Sequence, residues 1–235
     1  MRLFYSVNRN NNHFILEADE FRHSIKVLRQ KTGDAIHIFD GSGTIYNCII
    51  ETIGKQNLTA QIITREEGSY LPYQLTIAIA PTKNSNRFEW FVEKAVEIGI
   101  HRIIPIICSR SEKPKVNLDR LEKICISAMK QSKNTRKPII SAPISFESFL
   151  MKDYNDHQRC IAYVMEKTTN LSHTLDDLNI LIAIGPEGGF SDDELSKAID
   201  AGYKPVSLGE SRLRTETAGV ASCQIVKTVF EFKKK

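Results

Sequence analysis

From residue 75 onward the apolar residues come in short unbroken runs, at 75–80, 103–107, 161–164 and 180–184. A strand with one wet face alternates apolar and polar residues; a run without alternation belongs to a strand covered on both faces. Between and after these runs lie helix-length stretches at 87–98 (ended by Gly99), 118–129 and 191–201, a short strand around Val206 and a terminal helix over 217–232. Strand and helix in that rhythm build a parallel sheet with helices on both faces. The fold class expected for this part is α/β.

The first 70 residues read differently. Strands are expected at 2–7, 35–39, 44–52 and 58–64, separated by Gly33-Asp34, Asp40-Gly41-Ser42-Gly43 and Gly54-Lys55. A short helix over 19–28 places Phe21, Ile25 and Leu28 on one face. Short strands at this spacing suggest a small barrel. Residues 66–72 read as a linker, giving a first domain over 1–70 and a second over 73–235.

Charge and cysteine content narrow the setting. No apolar run approaches a membrane span, and the N-terminus lacks a basic segment followed by an apolar signal core. The cysteines Cys48, Cys108, Cys125, Cys160 and Cys223 are scattered, with no Cys-x-x-Cys pair. That argues for reduced thiols in a cytoplasmic protein and against a zinc ribbon. Between Lys83 and Lys137 there are 13 Lys/Arg against 6 Asp/Glu, so a modest net charge of +4 is concentrated in the middle of the chain. Such an excess can steer a polyanion such as RNA.

Two loops carry the chemistry. Gly185-Pro186-Glu187-Gly188-Gly189 follows the run 180–184 and opens onto Ser191-Asp192-Asp193-Glu194, a capping box with Ser191 as N-cap. Neither the dinucleotide fingerprint nor a P-loop is present, and four carboxylates (Glu187, Asp192, Asp193, Glu194) crowd this helix start. A ligand with hydroxyls and a positive centre fits better than one with phosphates. The second loop, residues 208–219, sets Arg212 and Arg214 beside Thr215-Glu216-Thr217, where Thr215 or Glu216 can cap the terminal helix. The small residues from Ala218 to Ser222 let a flat group or another segment come close. The arginines form either a salt-bridged corner or forked donors to an anionic or carbonyl-rich substrate.

With these loops, His23 and Val27-Leu28-Arg29, Glu93-Lys94-Ala95 with Glu97 and Gly99, and Gln131-Ser132, the chain resembles the bacterial ribosomal RNA small subunit methyltransferase E family, in the SPOUT (α/β-knot) superfamily. The resemblance runs through the whole chain in family order. It implies an N-terminal PUA-like β-barrel that binds RNA and a C-terminal α/β trefoil-knot domain. It also implies S-adenosyl-L-methionine as cofactor, a homodimer, no metal, and methylation of a uridine N3 in 16S rRNA of the small ribosomal subunit. This cofactor carries hydroxyls and a sulfonium and no phosphate, as the first loop requires.

Carried over by position, the resemblance places Met165, Glu166, Gly185, Glu187, Gly188, Gly189, Leu208, Gly209, Leu213, Thr217 and Ala218 around the cofactor. It makes Arg214, with Arg212 or Arg136 second, the group that steadies negative charge on the uracil carbonyls. The proton acceptor is Glu187, Glu216 or solvent. Arg2, Arg22, Arg29, Lys83, Arg87 and Arg136 are the expected RNA contacts. Two positions depart from the family pattern: Ser211 stands where an arginine is usual, and Asn134 takes the arginine place of the Gln-Ser-x-Arg motif. These departures keep open an RNA-binding protein that retains the cofactor pocket without catalysis; a third reading is a nucleoside-binding metabolic enzyme, whose activity would be indifferent to RNA.

Overall fold

The computed structural model describes residues 3–68, 70–112, 115–163 and 168–232. The chain divides into two compact units, Met1–Tyr70 with Ile126–Lys137, and Leu71–Cys125 with Pro138–Lys235. A single cut near residue 70 therefore does not describe the first unit.

The first unit is a six-stranded sheet in the order β1-β4-β5-β6-β3-β2. Its strands are β1 (Leu3–Tyr5), β2 (Arg9–Asn10), β3 (His13–Glu17), β4 (Ala35–Phe39), β5 (Thr44–Ile53) and β6 (Asn57–Glu67). Only β1 and β4 pair in parallel; the rest are antiparallel. The sheet curls without closing. The Ser6 hydroxyl donates to the Ile15 carbonyl (2.7 Å) and the Ile15 N–H to the Asn8 carbonyl (2.9 Å), so the chain after β1 reaches β3 without a strand pair. The expected barrel is thus a half-barrel. Glu66 and Glu67, read as linker, belong to β6.

The expected helix over 19–28 is split into α1 (Ala18–Arg22) and a π-helical turn, His23–Val27. Phe21 still enters the core formed by Phe4, Phe14, Leu16, Ile36, Ile38 and Ile50, with Ile25 and Leu28 packed against it. Residues 126–137 join this unit through backbone bonds to the 40–43 turn. Lys137 N–H donates to the Gly41 carbonyl (2.9 Å) and Gly43 N–H to the Thr135 carbonyl (3.1 Å). Gly43 has φ +103°, and a Cβ there would lie 2.7 Å from the Arg136 guanidinium carbon, so this approach requires glycine.

The second unit is a parallel sheet in the order β10-β8-β7-β12-β11-β13, with β9 also on β8. Its strands are β7 (Gln74–Ile79), β8 (Arg102–Ile107), β9 (Ile139–Ile140), β10 (Ile144–Ser145), β11 (Gln158–Ala162), β12 (Asn179–Ile184) and β13 (Lys204–Val206). The helices are α2 (Ser85–Ile98), α3 (Leu118–Ser132), α4 (Phe146–Leu150), α5 (Leu171–Thr174), α6 (Asp192–Asp200) and α7 (Thr215–Phe232). The dividing line between the units falls within α3.

The unbroken apolar runs form the central strands. Ala78, Ala80, Leu181 and Ala183 join Phe146, Phe149, Phe190 and Leu195 in one buried cluster. By alternation Leu75, Ile77 and Ile79 face the other side of the sheet, and all three are buried. That side is covered by α7, whose Gly219 sits against Phe91 of α2 and Ile79 of β7. The small-residue stretch of α7 thus admits a neighbouring helix. Each large aliphatic side chain so buried contributes roughly 1.5–3 kcal/mol. The expected strand residue Val164 lies outside the described residues.

Candidate active site

Three neighbouring strands end level with one another. Ala162 closes β11 and is in register with Ile184, the end of β12, and with Val206, the end of β13. In a parallel sheet the carboxyl ends of strands are where loops can surround a ligand. Here the loops after β12 and β13 enclose a cavity of about 390 Å³ lined by Ala162, Tyr163, Ile184, Glu187, Leu213 and Thr215, among others.

The first loop is pinned from two sides. The Ser191 hydroxyl accepts from Glu194 N–H (3.2 Å) while Ser191 N–H donates to the Glu194 carboxylate (2.9 Å), the expected capping box. The same carboxylate accepts from Ser109 N–H (2.7 Å) and the Ser109 hydroxyl (3.0 Å). Next to it, Arg110 Nη1 donates to the carbonyls of Gly188 (3.0 Å) and Phe190 (3.2 Å). Ser109 and Arg110 follow β8 and were not foreseen; their place just beyond an apolar run was the available signal. Glu194→Ala strands three donors and is expected to cost about 3 kcal/mol, since bonds to a charged group are the strong ones. Thermal unfolding should fall by roughly 6–12 °C, with Glu194→Gln in between; an unchanged Tm would deny the carboxylate this role.

The second loop meets the first at Thr215. Its hydroxyl donates to the Gly185 carbonyl (3.1 Å), and the residue is buried. Helix α7 begins at Thr215, not at 217, and the Arg214 carbonyl accepts the first helical bond, from Ala218 N–H (2.8 Å). Neither Thr215 nor Glu216 caps the helix, contrary to expectation. Glu216 instead faces α2. It is buried, with Oε1 3.8 Å from Arg87 Nε and Oε2 without a hydrogen-bond partner among the described residues. It does not line the cavity.

Of the expected cofactor residues, Gly185, Glu187, Gly189, Leu213 and Ala218 line this cavity together with Arg212 and Arg214. Gly188, Leu208, Gly209 and Thr217 do not. Gly188 backs onto Arg110, where an added Cβ would lie 3.3 Å away. Gly209 is folded onto Ser207, whose hydroxyl accepts from its N–H (3.1 Å) and donates to its carbonyl (3.0 Å). Thr217 is off the helix face that carries Thr215 and Ala218, which are three residues apart. Met165 and Glu166 lie outside the described residues. The lining residues missed in the sequence are Ala162, Tyr163, Ile184, Pro186, Phe190 and Thr215.

The acidic crowding inferred for the first loop is also corrected. Only Glu187 reaches the cavity, and it accepts from Lys83 N–H (3.1 Å). Asp193 pairs with Lys197 (2.8 Å), and Glu194 is taken by its cap and Ser109. Helix geometry turns these side chains away, so the lining holds two arginines and one carboxylate.

The expected RNA contacts fall in both units. In the first, Arg22 pairs with Asp19, Arg29 is exposed at φ +55°, and Arg136 donates to the Ser42 carbonyl (3.2 Å) beneath Tyr70. In the second, Lys83 pairs with Glu112 (2.6 Å) and Arg87 with Glu216. Arg2 lies outside the described residues. All five cysteines are buried and in no disulfide; burial pushes the Cys160 thiol up to about 11 and Cys48 to about 12, which suits packing and not nucleophilic work. Among the described residues no cluster of His, Cys, Asp or Glu could hold a metal, and no helix is long and apolar enough to cross a membrane.

Comparison with known proteins fits this arrangement. A family profile described as an RNA methyltransferase domain matches residues 69–227, and one described as an RNA methyltransferase PUA domain matches residues 16–63. The ribosomal RNA small subunit methyltransferase E of Rickettsia conorii is 34% identical over 220 residues, covering 90% of this chain and 88% of its own. A solved probable rRNA-methyltransferase from Porphyromonas gingivalis matches with a TM-score of 0.92 and 39% identity, over 99% of this chain and 100% of that one. The ribosomal RNA small subunit methyltransferase E of Neisseria gonorrhoeae, solved bound to S-adenosyl methionine, matches with a TM-score of 0.88 and 27% identity over 98% of both chains. The fold is that of the SPOUT (α/β-knot) methyltransferases with a PUA domain at the N-terminal end. Level strand ends, two loops tied through Thr215 and Gly185, and these matches across nearly the whole chain together place the protein in the ribosomal RNA small subunit methyltransferase E family.

Proposed function

We propose that this chain transfers a methyl group from S-adenosyl-L-methionine to N3 of a uridine in 16S rRNA of the small ribosomal subunit. The observation that carries the reading is the cavity at the level ends of β11, β12 and β13, with Arg212, Arg214 and Glu187 in its lining. Its donor set suits the cofactor: Leu213 and Ala218 offer apolar contact, Glu187 a carboxylate for a positive centre, and Gly189 open space where a Cβ would touch nothing within 4 Å. When bound, S-adenosylmethionine supplies a methyl group on a positively charged sulfur.

What remains for the chain is positioning and charge. Uracil N3 carries a proton at neutral pH, and losing it leaves negative charge on the flanking carbonyl oxygens. The Arg214 guanidinium can meet that charge with forked donors, and Arg212 stands beside it in the lining. Glu187 is the carboxylate within reach; Lys83 N–H occupies Oε1, which leaves Oε2 to accept the N3 proton. The reading carries with it a homodimer working in the cytoplasm, and residues 1–70 and 73–235 as the RNA-binding and methyl-transferring portions. Boundaries near residue 70 need residues 126–137 added to the first.

Small subunits from cells lacking this chain, incubated with it and with methyl-labelled cofactor, should gain one methylated uridine, located at N3 by mass spectrometry of the digested rRNA. Cofactor binding with no transfer would favour the RNA-binding alternative. Label on another atom would refute the site.

A further inference from the structure

A second cavity, of about 460 Å³, lies in the same unit and shares no lining residue with the first. It is formed where α2 and α3 begin, with Asn86, Phe88, Lys115, Asn117, Arg120 and Leu121 in its wall. One backbone contact joins the two cavities. Thr82 lines the second; the next residue, Lys83, donates its N–H to Glu187 in the lining of the first (3.1 Å).

The charge of this cavity is poised for an anion. Glu89, largely buried, holds Arg120 at Nε (2.6 Å), so the two terminal nitrogens of the guanidinium have no partner among the described residues. Lys115 is exposed and makes no ion pair among them. The helix starts themselves are already satisfied: the Asn84 side chain accepts from Asn86 N–H (3.0 Å) and the Asn117 side chain from Arg120 N–H (3.1 Å). Glu89 lines the same cavity, so its wall sets two cations against one carboxylate and keeps a single positive charge in excess. Beside it lie an apolar floor at Phe88 and Leu121 and the side-chain amide of Asn86, which has no partner among the described residues. Phosphate-binding cations, an apolar surface and an amide in one recess are the parts a single unpaired ribonucleotide requires.

We propose that this cavity holds a nucleotide of the substrate strand next to the methylated uridine, its phosphate on Lys115 and the Arg120 guanidinium. The proposal rests on the rRNA reading above and adds a second subsite to it, linked to the first through the Lys83 N–H bond to Glu187. Its test uses the full chain, Lys115→Gln, and Lys115→Gln with Arg120→Gln. Lys115 is exposed and makes no ion pair among the described residues, so its single variant keeps the fold. A fluorescein-labelled oligouridylate, followed by anisotropy, should bind the double variant about tenfold more weakly and with a shallower salt dependence. Methyl transfer should show a raised KM for small subunits, with kcat at saturation and cofactor affinity unchanged. Oligouridylate affinity and salt dependence equal to those of the unaltered chain would overturn the proposal. So would absence of oligouridylate binding by the unaltered chain, or a loss of cofactor affinity in the single variant. If no methyl reaches small subunits at all, the rRNA reading falls, and the binding arm still decides this one.

Discussion

Gly219→Val is expected to destabilise the protein by more than about 4 kcal/mol and to remove cofactor binding with it. Gly219 is buried in α7, and a single Cβ built on it would lie 2.5 Å from two ring carbons of Phe91 and 3.0 Å from Ile79 Cδ1. Phe91 and Ile79 are fully buried, so neither ring nor methyl has space to yield into. Even Gly219→Ala sets an overpacking cost of about 1–3 kcal/mol against the ~1 kcal/mol that alanine gains over glycine in a helix. Valine adds two further carbons and forfeits most of that helical gain. The start of the same helix carries Thr215, whose hydroxyl ties α7 to Gly185, so a displaced α7 opens the cofactor cavity. Thermal unfolding and titration with S-adenosylmethionine measure both effects. Phe91→Leu should restore part of the loss in Gly219→Ala, because it removes the ring that the new methyl strikes. A raised Tm in Gly219→Ala would mean that helix propensity alone governs the position.

The close approach at Gly219 was legible as a run of small residues, while its occupant was not, because Phe91 is brought there only by the packing of α2 on α7. The same division runs through the chain. Strands β7, β8 and β12 could be read because both their faces are buried and their sequences show it. Strands β9 and β10 have two residues each and exist by pairing to β8, which no local pattern announces. Ala18 and Arg29 take φ of +47° and +55° on either side of the expected helix, conformations that apolar spacing cannot reveal. Residues 126–137 join the first unit through bonds to a turn about ninety residues earlier in the chain, which lies beyond any reading of neighbours.

At the site, the two loops were visible in the sequence, and Gly185, Glu187, Gly189, Arg212, Leu213, Arg214 and Ala218 line the cavity they enclose. The error lay in treating neighbours in sequence as neighbours in the cavity. Asp193 and Glu194 stand a few residues from Glu187, yet the start of α6 turns one to Lys197 and the other to Ser109. Arg110 was missed for the converse reason: it is 78 residues from the Gly188 carbonyl it holds.

Arg214→Ala is expected to lower methyl transfer about 10²- to 10³-fold, the usual effect of removing one donor aimed at developing negative charge. Cofactor affinity should stay within about twofold. The separation is possible because the backbone and side chain of Arg214 do different things. Its carbonyl accepts the first bond of α7 from Ala218 N–H, and that bond survives truncation of the side chain. Its guanidinium is exposed at the cavity and forms no ion pair among the described residues, so its loss leaves no buried charge unpaired. Arg214→Lys should recover only part of the rate, because an ammonium keeps the charge but not the planar fork. Arg212→Ala supplies the comparison, since Arg212 lines the same cavity one register place after the family's usual arginine position, here Ser211. If Arg212→Ala proves the more damaging while Arg214→Ala transfers at the normal rate, the charge-stabilising role passes to Arg212. A fall in cofactor affinity as large as the fall in rate would instead make Arg214 part of the cofactor's binding, and the division of labour argued from its backbone and side chain would fail.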